Sequence, residues 1–399
     1  MSGPNSSFGT LAMNAGEHAD IDPVAPWSFT LGRGRGELNA LRTEWGSCLE
    51  RQATRTYLQS PEWISSYLHA LAPQPEQVVF VAARIGRRLA GVVALERVSL
   101  GRHGLAIPAL RLVTGEHMHL SDLALPTAGD QFLAALTHWL SGRRELAWQV
   151  IVGEGVSSDS LLGQSLHAEA GGLHHIVRPQ PRTVWLDCSG NVESALERTG
   201  RSHRQNVKRL LRRARDLGDL SYEAVTQSDR LDKALDDFLQ VECSGWKVGT
   251  GTAIRQCPEL LRFYRRLVHE FGARGACRIN LLRLNGVVVA GQFGLVSNGQ
   301  LNLLKIGYSS EHAHLGPGHL IMQHTIESVC ADPLLTRLSF VTNPAWAQLW
   351  KPHTTEVNCH LLFRNGLMGG LLYWAARAWF GLPRRKSASR PQPDAAAKA

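Results

Sequence analysis

The sequence contains no Cys-x-x-Cys pair, no Gly-Lys-Ser/Thr phosphate loop and no run of roughly 18 apolar residues. Its seven cysteines stand apart, at 48, 188, 243, 257, 277, 330 and 359, which excludes a zinc ribbon and a disulfide framework and favours a reducing, cytoplasmic setting. The phosphate loop of the common NTPases is excluded in the same way. A spanning helix is not expected either, because the most apolar stretch, 366–376, stops at Arg377. The first residues lack the basic and apolar regions of a secretory signal, so none is expected. Charge is sparse as well: 19% of residues are charged against 44% hydrophobic, the balance of a globular chain rather than a coiled coil or a disordered polymer.

What is present is enough chain, 399 residues, for more than one core. Small polar residues at 1–26 and an Ala/Pro/Ser-rich stretch at 387–399 read as disordered tails. A break in pattern around the Pro-bearing stretch 179–191 divides the body into a first lobe, 27–190, and a second, 191–365, followed by an apolar and basic helix at 366–386. In the second lobe a basic helix (202–217) precedes a strand (220–226), a helix capped by Ser228, an irregular Gly-rich segment (244–256) and a helix opened by Pro258. Three strands follow, at 276–284, 287–297 and 300–309. They are separated by Asn285-Gly286 and Asn298-Gly299, the turn chemistry of tight hairpins. A Gly-bearing loop, a helix (318–331) and strands at 337–342 and 356–364 complete the order. The hairpin text Ala83–Gly91 resembles Leu282–Gly291 about 200 residues later, which suggests a duplicated unit.

The loop Leu315-Gly-Pro-Gly-His-Leu320 has two readings. Glycines at a helix N-terminus let a pyrophosphate reach unpaired N–H groups, and the same text also makes a plain structural turn. The basic helix carries Arg201, Arg204, Lys208, Arg209, Arg212, Arg213 and Arg215, with Arg198 just before it and no acid between. These eight cations nearly equal the whole net charge of +9. Its Val207, Leu210, Leu211, Ala214 and Leu217 form a docking stripe, leaving a basic face for a phosphate-bearing ligand, a membrane surface, nucleic acid or solvent. Nucleic acid ranks last, since no recognised binding motif accompanies the helix. The clustered His312, His314, His319 and His324 lack the i, i+4 pairing of a zinc helix, so no metal is expected. The segment 366–386 suits either a membrane interface or a cover for the core.

The element order, with Ser202-x-Arg204, Glu242-Cys-Ser-Gly-Trp-Lys247, Leu282-x-x-Asn-Gly-x-x-x-Ala290, Lys305-Ile-Gly-Tyr308 and the 315–320 loop, resembles the GNAT acyltransferases. It is similar in particular to the CelD-like acetyltransferases associated with cellulose and exopolysaccharide biosynthesis, which are related to the two-lobed Fem peptidyltransferases. The resemblance covers 200–355 well and the first half in outline. It implies an α+β, α/β-type GNAT fold of two tandem lobes, each a mixed, mostly antiparallel sheet flanked by helices. It also implies acetyl-CoA or another acyl-CoA as cofactor, held by Lys305, Ile306, Gly307, Leu315, Gly316, Gly318 and His319.

Acyl transfer further needs an oxyanion site, placed on the chain at 306–308, a base and an acid. Glu242 is the candidate base or a solvated helix end; Tyr308 is the candidate acid or a packed ring; Lys247 is placed with them. Arg204, Trp246, Asn343 and Lys351 are the candidate acceptor contacts, the acceptor being a small molecule or a glycan. The chain departs from the family after the fifth strand of this lobe, where Phe340 to Lys351 has the lysine but neither the usual acid nor the tyrosine. Two rival functions stay open: a non-catalytic binding module, and Fem-like transfer from aminoacyl-tRNA. The expected location is the cytoplasm, with the inner-membrane surface open to it through the C-terminal segment.

Overall fold

The computed structural model describes residues 27–381 apart from 53, 102–105, 115–117, 127–128, 169–171 and 245–252. The two expected tails, residues 382–386 of the expected C-terminal helix, Trp246 and Lys247 lie outside the described residues. In the first half, β1 (Trp27–Arg33), α1 (Gly34–Glu50) and α2 (Pro61–Ala70) lead into the meander β2 (Val78–Ile85), β3 (Arg88–Leu100) and β4 (Ile107–Leu112). Then come α3 (Gly129–Ser141), β5 (Val150–Ser157), α4 (Leu161–Ala168) and β6 (His174–Asp187). The second half repeats this order. After a short α5 (Val192–Ala195) and the basic α6 (Arg201–Asp216) it runs β7 (Leu220–Val225), α7 (Ser228–Glu242), α8 (Pro258–Gly272), β8 (Cys277–Leu284), β9 (Val287–Ser297) and β10 (Gln300–Tyr308). It continues with α9 (Pro317–Cys330), β11 (Arg337–Ser339) and β12 (His353–Phe363), and α10 (Leu367–Gly381) closes the described chain.

The twelve strands among the described residues belong to one sheet, in the order β1-β2-β3-β4-β5-β12-β6-β11-β10-β9-β8-β7. The order is symmetric about the β12–β6 pair, and each half gives its last strand to the other: β12 pairs with β5, and β6 with β11. The tandem lobes therefore share a single mixed, mostly antiparallel sheet. Among these strands β4–β5 and β10–β11 pair in parallel and the other neighbours antiparallel.

Helices α1, α2, α7 and α8 cover one face, and their core is continuous across the two halves. Trp63 of α2 meets Phe263 of α8 edge to face at 5.3 Å. Buried charge lies beside this contact: Glu270 of α8 is bound by Arg42 of α1, by Arg266 at 2.7 Å and by Ser65 at 3.2 Å, while Arg274 reaches Glu62 at 2.9 Å. Burial pushes the Glu270 carboxyl up, yet Arg42 and Arg266 outweigh it and hold the group below its usual range. On the opposite face α3 and α4 cover the first half, and α6 and α9 the second.

Three expected boundaries shift. The cap of α7 is Gln227, in extended conformation, and Ser228 is already helical. The strand expected over 337–342 ends at Ser339, because Val341 adopts φ 60° and Thr342 N–H closes onto Phe340 O at 2.6 Å, a γ-turn that no propensity of valine announces. The last strand begins at His353 instead of 356, where its partner β6 extends the ladder to Trp185.

Helix α7 approaches β10 unusually closely. A Cβ on Gly307 would stand 2.7 Å from the Glu242 Cα and 3.0 Å from its nitrogen, so the helix end and the strand touch backbone to backbone. Replacing Gly307 with Ala must separate them and should cost about 1–3 kcal/mol in chemical denaturation. By contrast Gly36→Ala in α1, where nothing lies within 4 Å of the new methyl, should be neutral or stabilising by about 0.5–1 kcal/mol.

Candidate active site at the parting of two strands

Strands β10 and β11 begin as a parallel pair, Gln300–Asn302 against Arg337–Ser339, and pair no further. Beyond that point each follows its other neighbour: Ser309 N–H bonds Val289 O at 2.8 Å on the β9 side, and Phe340 N–H bonds Val184 O at 2.9 Å on the β6 side. A bulge between Leu303 and Lys305 sharpens the bend of β10. The result is a V-shaped opening with the chain from Lys305 to Tyr308 along one arm, Lys305 lying opposite Phe293, Ile306 opposite Gln292 and Gly307 opposite Gly291.

Helix α9 starts at this opening. Gly316, at φ 59°, makes the left-handed turn that α9 needs at its N-cap, and Pro317 occupies the first helical position. The two glycines differ. Gly316 packs on α6, a Cβ there standing 2.7 Å from Leu210, whereas Gly318 faces the Tyr308 ring at an ordinary 3.7 Å with nothing closer. Gly318 is thus the glycine beside the opening. Leu315, an expected cofactor contact, has its side chain buried in the core with Leu210 and Leu320.

Glu242 sits across from Gly307, and its side chain is buried rather than solvated. Its Oε2 accepts the Ile254 N–H at 2.9 Å and lies 3.9 Å from the Cys243 thiol, so it ties together the two ends of the Gly-rich segment. Burial, then the Glu242 charge, pushes the neighbouring Tyr264 hydroxyl far above its ordinary range. The segment is also fastened to the end of β10: Ser244 Oγ donates to Tyr308 O at 3.4 Å, and Ser310 Oγ to Ser244 O at 2.5 Å. Ser244 stands in the 242–247 motif with no role assigned to it there, and Ser310, an isolated loop serine, gives no signal in the sequence.

Next to the α9 N-terminus, His203 of α6 meets His319 at 5.2 Å and Trp350 at 4.7 Å, both edge to face. Burial, with the nearby His319, lowers His203 to about 4, and burial lowers His319 as well. Arg204, half-buried, follows in the first turn of α6. Among the described residues none of the eight cations from Arg198 to Arg215 forms an ion pair, although Arg198 bonds His353 at 2.9 Å and Arg209 bonds Asn206. Asn343 accepts from Gln348 at 2.6 Å, and Lys351 ends the 345–350 turn at φ 50° with its side chain exposed. Of the other histidines, His312 contacts Ser309 and His324 pairs with Glu327 at 3.1 Å. The structure thus gathers Glu242, Ile306–Tyr308 and Gly318 around the opening. His203, Arg204 and His319 stand beside α9, and Asn343 and Lys351 lie on the connection after β11.

The first half parts its strands in the same place and then fills the gap. Its connection from β4 to α3, residues 113–128, is twice as long as the 309–316 loop, and it bridges to β3 at Val92–Ala124 and to β5 at Ser121–Val156. The space left, lined by Leu112, Leu136, Gly153 and His360 among others, is about 40 Å³. Among the described residues no such bridge crosses the opening in the second half.

His203 gives a readable pH signature. It stays neutral in the fold down to about pH 4 while the unfolded chain takes up its proton below about 6.5. Stability should therefore fall as the pH drops through that window. His203→Phe, which keeps a ring against Trp350, should flatten the acid side of a plot of thermal midpoint against pH; an unchanged slope would assign the loss to other groups.

Comparison with known proteins agrees with this geometry. Residues 201–349 match the family described as acetyltransferase (GNAT) domain. No curated protein sequence matches the chain. Among solved structures, FemX superposes with a TM-score of 0.54 at 12% identity, over 84% of this chain and 98% of FemX. L-PGS from Bacillus licheniformis does so at 0.50 and 12% identity, over 88% of this chain and 99% of that one. At these identities the likeness is one of fold. Residues 201–349 thus resemble a GNAT acetyltransferase domain, and the fold around them is a tandem GNAT-like one built on one large central sheet.

Proposed function

We propose that the chain is an acyl-CoA-dependent acyltransferase, with acetyl-CoA as the donor, working in the opening between β10 and β11. The observation that carries the reading is that this opening, bordered by Gly318 at the start of α9, has no strand bridge across it among the described residues in the half that matches the acetyltransferase domain, whereas the corresponding parting in the other half is bridged. The pyrophosphate would lie against the first turn of α9, where N–H groups and the helix dipole favour an anion. The thioester would follow β10 past Ile306 and Gly307. An acceptor amine or hydroxyl attacks the thioester carbonyl and gives its proton to Glu242; the C–S bond breaks, and the departing thiolate takes a proton from Tyr308. Lys247 is proposed to act with these catalytic groups, and Trp246 to contact the acceptor. Arg204, Asn343 and Lys351 are proposed for the acceptor, a small molecule or glycan of the kind that envelope or exopolysaccharide synthesis would use.

Millimolar acetyl-CoA should raise the thermal midpoint, with about 2.7 kcal/mol of stabilisation at a hundredfold excess over Kd. Gly318→Val, whose new side chain meets only the Tyr308 ring, should fold normally and lose that shift; a retained shift would remove Gly318 from the site. Glu242→Gln keeps an oxygen for Ile254 and should bind acetyl-CoA yet lose turnover.

A second reading is transfer from aminoacyl-tRNA. It draws on the likeness to FemX and on the basic face of α6, which carries seven cations and no acid from Arg201 to Arg215. Tight, salt-sensitive tRNA binding without an acetyl-CoA shift would establish it in place of the first.

A further inference from the structure

We propose that α10 is a peripheral membrane anchor that lies in the interface of an anionic bilayer. The helix is apolar on two sides. One side, Leu372, Tyr373 and Ala376, packs on Phe363, Cys359 and Ile176 of β12 and β6; Tyr373 stacks on His174 at 4.6 Å, and Phe380 lies under the Arg178 guanidinium at 4.1 Å. The other side is bare. Leu367, Met368, Leu371, Trp374 and Trp379 are 92%, 56%, 67%, 63% and 68% exposed, five of the ten large exposed hydrophobic side chains among the described residues. Such concentration marks a binding surface rather than ordinary scatter.

Helical spacing makes the bare side a continuous arc. Leu367, Leu371, Trp374 and Ala378 recur at i, i+4, i+7 and i+11, and Ala375, Met368 and Trp379 widen the stripe with no charge inside it. Arg377 stands at its border, held over the Tyr373 and Trp374 rings. At fifteen residues the helix is about 22 Å long, too short to cross a bilayer but suited to lying within its surface.

Charge selects the occupant. Between Glu356 and Asp394 the sequence has no acid and carries Arg364, Arg377, Arg384, Arg385, Lys386 and Arg390. A second copy of the chain would set these cations against their own kind, whereas anionic headgroups neutralise them while the tryptophans settle at headgroup depth and the leucines reach the acyl chains.

The test is sedimentation of the full-length protein with vesicles of phosphatidylglycerol and phosphatidylcholine, and with phosphatidylcholine alone. Binding to the anionic vesicles is expected, weakened about tenfold without the anionic lipid and again by high salt. The double variant Leu371→Ser, Trp374→Ser, altering only exposed side chains, should keep the wild-type thermal midpoint and lose about tenfold in vesicle binding. The proposal fails if the wild type stays in the supernatant. It fails equally if the folded double variant binds as the wild type does, which would point to α6. A third overturning result is a concentration-dependent dimer by light scattering that the variant abolishes, which would make the face a self-association surface.

Discussion

The reciprocal pairing of β6 with β12 governs the molecule. It runs from His174–Phe363 to Trp185–His353, and because each strand also pairs with the other half, neither half completes its sheet alone. The opening depends on this exchange. β11 leaves β10 because its backbone continues along β6, as Phe340 N–H to Val184 O shows, while β10 continues along β9. A strand donated by the first half therefore shapes the site of the second. The γ-turn at Val341, a costly φ for a β-branched residue, lies where the two courses separate, in keeping with strain gathering at functional sites.

The two halves share one plan and spend it differently. In the first, a longer connection fills the parting between β4 and β5, and leucines complete the packing. In the second, the short loop, Gly316 and α6 bring the start of α9 close to β10, and among the described residues no bridge crosses the parting. The first half instead contributes β6, the long α2–α8 contact and the buried charges around Glu270. The hairpins around Gly91 and Gly291 resemble each other in sequence and hold corresponding places in the two halves, although one parting is bridged.

Much of the second half is legible in the sequence because its signals are local. Asn285-Gly286 and Asn298-Gly299 specify tight turns by their tolerance of positive φ, and both asparagines adopt it, at 50° and 48°. The stripe Val207, Leu210, Leu211, Ala214 and Leu217 specifies a helix docked by one face; Val207, Leu210 and Ala214 are buried, whereas Leu217, at the cap just past the helix end, is exposed. The resemblance carried by Lys305-Ile-Gly-Tyr308 and the 315–320 loop points to β10 and the start of α9, which border the opening. Other features depend on distant partners and leave no local trace. The burial of Glu242, the difference between Gly316 and Gly318, and the clasp of Ser244 and Ser310 depend on α7, α6 and β10 meeting in space.

The sequence by itself determined the periodicities, the turns, the placing of the excess positive charge on α6 and the tail after α10, and the order of elements in each half. Each of these is set by residues a few positions apart. Tertiary structure alone decided that the halves exchange their last strands, that β10 and β11 part, and which of two similar partings is left unbridged. Those outcomes turn on hydrogen bonds between strands as far apart as β6 and β12. Backbone amides are the same in every residue, and so the sequence carries no mark of which partner they will choose.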